Sequence, residues 1–257
     1  MKIYSIFLSL VSWLVVFAEQ TSTQISSTQK TAVLIVGYDA SCSSKYRMES
    51  IAITLKEKGI AVYKYFYPHA NWNNIKAKAK TCAFFIYTGH GYGNGGLNGG
   101  FGGLCINENI RAQEIVDGLK FQYKPLVIYL NACGSAGSSA GDPDDIGIQE
   151  ATKRVCDTSL PFFMAGAGAY FATNTLNDSF LDELLKGKTI STCFRVFSEP
   201  QYEIYITETI TSKNALNLKT IGISGYQDQN KPKAHYYHTA FVGPANFTIK
   251  SIIQTSK

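Results

Sequence analysis

From residue 31 onward, uniformly apolar runs alternate with helix-patterned stretches, and this alternation constrains the fold more than any other feature of the chain. "AVLIVGY" (32–38) reads as a strand, "SKYRMESIAITLKEKG" (44–59) as a helix and "IAVYKYFY" (60–67) as a strand. "NWNNIKAKAK" (71–80) then reads as a helix with its lysines on a solvated face, and "CAFFIYTGHG" (82–91) as a strand again. Strands apolar on both faces must be covered on both faces. The expectation is an α/β fold in which helices flank a mostly parallel central sheet.

The pattern continues through a glycine-rich stretch, "GYGNGGLNGGFGG" (91–103), a short hairpin at "LCINEN" (104–109) and a helix at "IRAQEIVDGLK" (110–120). "KPLVIYLNAC" (124–133) is the next core strand, "GSAGSSAGDPDD" (134–145) a loop, "IGIQEATKRVCD" (146–157) a helix and "LPFFMAGAGAYFA" (160–172) another buried strand. Residues 175–197 read as one or two helices with Gly187 as the break, and "LKTIGISGY" (218–226) as the last strand. No internal repeat or linker divides residues 31–257, which are expected to form a single domain.

Residues 1–18 place Lys2 ahead of an apolar run that closes on small residues suited to signal peptidase. The run from Ile3 to Ala18 is 16 residues, short of the roughly 20 that a spanning helix needs, so cleavage is expected rather than anchoring. Polar residues 19–30 form a leader, and the mature chain belongs in a secreted or lysosomal-type compartment with no membrane attachment. Two sequons, Asn177-Asp178-Ser179 and Asn246-Phe247-Thr248, are then open to glycosylation. In an oxidising compartment Cys42, Cys82, Cys105, Cys133, Cys156 and Cys193 have the numbers for three bridges. The absence of C-x-x-C argues against a zinc ribbon or a thioredoxin-type site. With 24 basic against 19 acidic residues and no basic stripe, nucleic acid is not an expected partner.

Gly91, Gly93 and Gly96 match G-x-G-x-x-G, but "LNGGFGGLCINEN" follows, too rich in glycine to begin the helix whose amides would hold a pyrophosphate. A dinucleotide is therefore not expected. Attention moves to two strand ends: "FFIYTGH" delivers His90 and "LVIYLNAC" delivers Cys133. In an open parallel sheet the functional face lies beyond the carboxyl ends, and consecutive strand–helix units are usually neighbours. A thiol beside an imidazole is the arrangement of an activated cysteine nucleophile. The plainer reading of Cys133 is a small buried hydrophobe. Gly91 and Gly134 let a substrate backbone approach, and amides at those turns can cradle an oxyanion.

An apolar strand ending in His-Gly, followed 43 positions after the histidine by the cysteine of an Ala-Cys strand end, resembles the caspase-like superfamily of cysteine peptidases. That group includes caspases, metacaspases, legumain, clostripain, gingipain and separase. The resemblance implies a three-layer α-β-α sandwich and hydrolysis of peptide bonds in a peptide or protein substrate. It implies His90 as general acid/base, Cys133 as nucleophile and the backbone amides of Gly91 and Cys133 as the oxyanion hole, with no metal or organic cofactor needed for the reaction. Asn131, two residues before the nucleophile, falls where several relatives line the substrate pocket. It is neutral here, so it supplies no charge reason for a basic preference. Two other readings use the same residues: a catalytically silent secreted binding protein, and a transpeptidase or ligase that passes the acyl group to an amine.

Asp142, Asp144 and Asp145 sit just beyond the site and suit a calcium site or a cationic pocket, or else a solvated loop with Asp145 capping the next helix. His235 and His238 have metal-like spacing but lie among tyrosines without an acidic or thiol neighbour in sequence, which favours a surface role.

Overall fold

A computed structural model describes residues 30–97, 99–142, 144–174, 179–197, 203–207, 220–227 and 235–252. The expected signal peptide, the leader up to residue 29 and Asn177 lie outside the described residues, as do the side chains of Cys42, Val196 and Phe197 and of residues 203–207. The chain runs β1 (Thr31–Val36), α1 (Cys42–Glu57), β2 (Ala61–Phe66), α2 (Trp72–Ala79), β3 (Phe84–Thr88), β4 (Leu104–Cys105), β5 (Asn109–Ile110), α3 (Ala112–Gly118) and β6 (Leu126–Leu130). It continues through α4 (Gly147–Met164), β7 (Ala169–Thr173), α5 (Ser179–Leu185), α6 (Ile190–Phe197), β8 (Glu203–Thr207), β9 (Ile221–Gln227), β10 (His235–Val242) and a closing 3-10 turn at Ile249–Ile252.

Eight strands form one sheet in the order β2-β1-β3-β6-β7-β10-β9-β8, and β4 pairs with β5 as a separate hairpin. The first five are parallel. The last three join antiparallel. One face of the sheet carries Val33, Phe85, Tyr87, Val127, Tyr129 and Tyr170 under Ile75 of α2, Ile115 of α3 and Val155 of α4. The other carries Leu34, Phe84, Ile86, Ile128 and Phe171 under Met48 and Leu55 of α1, Leu184 of α5 and Phe194 of α6. This is the three-layer α-β-α arrangement anticipated from the doubly apolar strands.

Local chemistry accounts for the helices. Ser41 caps α1 by accepting from the Ser44 amide at 3.2 Å, and Met48, Ile51, Ala52 and Leu55 repeat at helical spacing to bury one stripe. Asn71 caps α2 in the same way, through the Asn74 amide at 3.1 Å. Gly187, at φ +89°, stands in the break between α5 and α6 as expected.

Two expectations need correction. Residues 160–164 are not strand: "LPFFM" is the last turn of α4, and β7 starts only at Ala169. Pro161 removes an N–H from that turn, a cost of about 3 kcal/mol in a helix interior. Phe162 and Phe163 are buried against the sheet and offset it, at about 1.5–3 kcal/mol each. Nor is the strand at 221–227 the last, because β10 follows and inserts between β7 and β9.

The three-bridge expectation is also overturned. Cys82, Cys105, Cys133, Cys156 and Cys193 are free. Cys82 is buried in the layer under α2 and Cys193 in the layer on the opposite face, so the sheet itself separates them. Asn246 of the second sequon is exposed. Among the described residues no helix is long and apolar enough to cross a membrane.

Candidate active site

β3 and β6 are paired neighbours, with Thr88 opposite Leu130, so the segments leaving their carboxyl ends start side by side. His90 is exposed two residues beyond β3, and Cys133 is half-buried three residues beyond β6. The two turns meet through their backbones. A β-carbon on Gly91 would stand 2.7 Å from the Cys133 amide nitrogen and would overlap its carbonyl oxygen. Only a residue without a side chain lets the His90 turn lie there. The glycine thus admits the cysteine's own backbone, rather than a substrate's.

Gly134 is committed as well. Its φ is +75°, and its β-carbon position is filled by the Phe101 ring. Its amide donates to the Ser138 carbonyl at 3.0 Å, which withdraws it from any oxyanion role. Among the described residues the amides of Gly91 and Cys133 donate to no protein acceptor. Two unspent N–H groups on adjoining turns are what an oxyanion hole needs.

Three buried tyrosines brace these turns from beneath. The Tyr87 hydroxyl donates to the His90 carbonyl at 2.9 Å and accepts from the Cys105 amide at 3.1 Å. Tyr129 donates to the Gly103 carbonyl and Tyr170 to the Ser135 carbonyl, both at 3.0 Å. The rings form a row, with centroids 5.0 Å apart for Tyr87 and Tyr129 and 5.6 Å for Tyr129 and Tyr170. Burial raises all three phenols above the usual tyrosine range, so they remain donors.

The turn into Cys133 begins with Asn131 at φ +53°, a left-handed conformation that asparagine tolerates better than most residues, and its amide donates to the Thr173 carbonyl at 2.9 Å. Beyond Cys133 the loop is pinned to α4. Arg154 places its guanidinium carbon 4.7 Å from the Phe101 ring centroid and bonds Asp142 at 2.8 Å and the Gly137 carbonyl at 3.3 Å. Asp142 also accepts from the Ser139 amide at 2.7 Å. Asp145 accepts from the Gly147 amide at the start of α4 at 2.8 Å and lies 3.2 Å from His235 Nδ1. Asp142 and Asp145 are thus engaged within the protein, and Asp144 is exposed. Among the described residues no group of three or more histidine, cysteine or acidic side chains is placed to hold a metal.

The histidine pair also departs from expectation. His235 has an acidic partner in Asp145, and His238 is buried, its pKa pushed down to about 4 by loss of solvent. Between them sits Tyr236, which no motif singles out. Its hydroxyl accepts from Asn174 Nδ2 at 3.3 Å. Burial raises its phenol above the usual tyrosine range, and the Asn174 hydrogen bond partly offsets this. The only sequence signal was indirect, since finding β10 would have brought its first residues to the site's edge. Burial pushes the Cys156 and Cys193 thiols up to about 12 and raises those of Cys82 and Cys105 as well. No family model and no curated protein matches the chain.

Proposed function

We propose that the chain is a cysteine endopeptidase, with Cys133 as nucleophile and His90 as general acid/base, as its resemblance to the caspase-like superfamily implies. The imidazole takes the Sγ proton, and the thiolate attacks the scissile carbonyl carbon. The resulting oxyanion lies against the Gly91 and Cys133 amides. Collapse breaks the C–N bond, His90 returns the proton to the departing amine, and water then hydrolyses the thioester to release acid and restore the thiol. Each step uses groups of the chain itself and water.

The observation that carries this reading is the packing of Gly91 onto the Cys133 backbone, which sets the two turns together with both amides unspent. The silent binding-protein alternative would gain from a bridged Cys133, and that thiol is free. Wild-type protein and Cys133→Ala, assayed on a fluorogenic peptide library diverse at the residue before the cut, test the proposal. Cleavage by wild type alone supports it; equal behaviour of the two proteins defeats it.

A further inference from the structure

Asn174 follows β7 directly, and its backbone is fixed on both sides. Its amide donates to the His238 carbonyl at 2.8 Å, and the preceding carbonyl, that of Thr173, accepts from Asn131 at 2.9 Å. Leu130 and Thr173 are paired, so Asn131 and Asn174 are the next residues on neighbouring strands, and Asn131 is two residues from Cys133. Asn174 Nδ2 is spent on Tyr236, but Oδ1 is shielded from solvent and, among the described residues, has no hydrogen-bond partner. Native structures rarely leave such an acceptor unmet, so a water, an ion or a bound polar group is its natural partner.

The residue after Tyr236 is tied independently to the loop that follows Cys133. Tyr237 donates its amide to Ser138 Oγ at 2.9 Å, and its carbonyl accepts from the Ser138 amide at 3.0 Å, which ties the start of β10 to the loop that begins at Cys133. Because Tyr236 accepts from Asn174, its own hydroxyl proton remains to be donated. The pair therefore offers one acceptor, Asn174 Oδ1, and one donor, Tyr236 Oη–H. Turning the carboxamide over exchanges the atoms but keeps one donor and one acceptor, since Tyr236 then donates to Oδ1 and Nδ2 is the free group.

We infer that Asn174 and Tyr236 form a substrate subsite beside Cys133 that receives an amide group, taking a hydrogen bond from its N–H and giving one to its carbonyl. The inference rests on the peptidase reading. The amide is either a main-chain peptide unit next to the cut or a carboxamide side chain, and the two sources are separable by experiment. Specificity by such a pair is sharp because a substrate lacking the amide leaves both polar groups unpaired.

The test uses wild type, Tyr236→Phe and Asn174→Ala on the best-cleaved library peptide, on versions N-methylated at single positions, and on versions with carboxamide side chains replaced by isosteric hydrocarbon. Iodoacetamide labelling of Cys133 reports that each variant keeps its site. The expected result is a rise in KM of about 3–10-fold in each variant, with the larger share of the loss in KM and Cys133 labelling retained. One peptide modification should weaken wild type by a similar factor and weaken Asn174→Ala, which has already lost the acceptor for that N–H, by less. A main-chain source is identified if that modification is an N-methyl group, and a side-chain source if it is the hydrocarbon replacement. Unchanged KM in both variants of an active enzyme overturns the subsite alone. Failure of wild type to cleave any peptide overturns the peptidase reading and the subsite with it.

Discussion

Replacing Gly91 with alanine puts the close approach of the two turns under direct strain. The new β-carbon would overlap the Cys133 carbonyl oxygen and stand 2.7 Å from its amide nitrogen, against the ~3.5 Å at which non-bonded heavy atoms rest, so one backbone must move by at least roughly 1 Å. Backbone cannot escape by changing rotamer. The Tyr87 bond to the His90 carbonyl holds one side, and the Asn131 bond to Thr173 holds the other. Overpacking of this kind costs about 1–3 kcal/mol. Alanine recovers about 0.4–1 kcal/mol by stiffening the unfolded chain, so the net loss is up to about 2.6 kcal/mol. The effect on chemistry is larger, because a ~1 Å misplacement of reacting groups costs on the order of 100-fold in rate. Urea unfolding measures the first quantity, and peptide cleavage far below the unfolding midpoint measures the second. A Gly91→Ala protein with wild-type stability and wild-type turnover would refute the contact and the argument built on it.

Tyr87→Phe removes the donor to the His90 carbonyl and the acceptor for the Cys105 amide, and should cost about 1–3 kcal/mol in urea unfolding while slowing cleavage by fully folded enzyme. An unchanged kcat would show that the phenol does not position the histidine turn. His238 gives a pH signature. Its pKa falls from 6.5 to about 4 on folding, so below 6.5 the unfolded chain takes up a proton that the folded one refuses. The contribution of about 3 kcal/mol is fully present above pH 6.5 and is lost as pH falls towards 4. Urea midpoints at pH 7 and pH 5 should differ less in His238→Asn than in wild type; equal differences would contradict the buried neutral imidazole.

The parallel half of the sheet was legible because strands covered on both faces have no choice but to be apolar throughout, as 84–88 and 126–130 are. That regularity also brought His90 and Cys133 to neighbouring ends. What escaped was less periodic. "LPFFM" is as apolar as a strand, and nothing local reveals that Phe162 and Phe163 pack as the end of a helix in spite of Pro161. β10 was hidden because "HYYHTAFV" mixes polar and aromatic residues, and its bulge between Tyr237 and Thr239 breaks the period-two pattern. Asn174 and Tyr236 meet from positions 62 residues apart, a pairing that only the β7–β10 register creates. The glycines were noticed, but their reasons differ from the expected one: protein backbone fills the space at Gly91, and an aromatic ring fills it at Gly134.

The most direct test of the central claim is the alkylation rate of each cysteine by iodoacetamide, mapped by mass in folded wild type and in His90→Gln. Cys133 should react faster than Cys82, Cys105, Cys156 and Cys193, and should slow by about 10-fold or more when the imidazole is removed, while the unfolded proteins label alike. A Cys133 that labels no faster than the buried thiols, or equally fast with and without His90, would contradict a working thiol–imidazole pair.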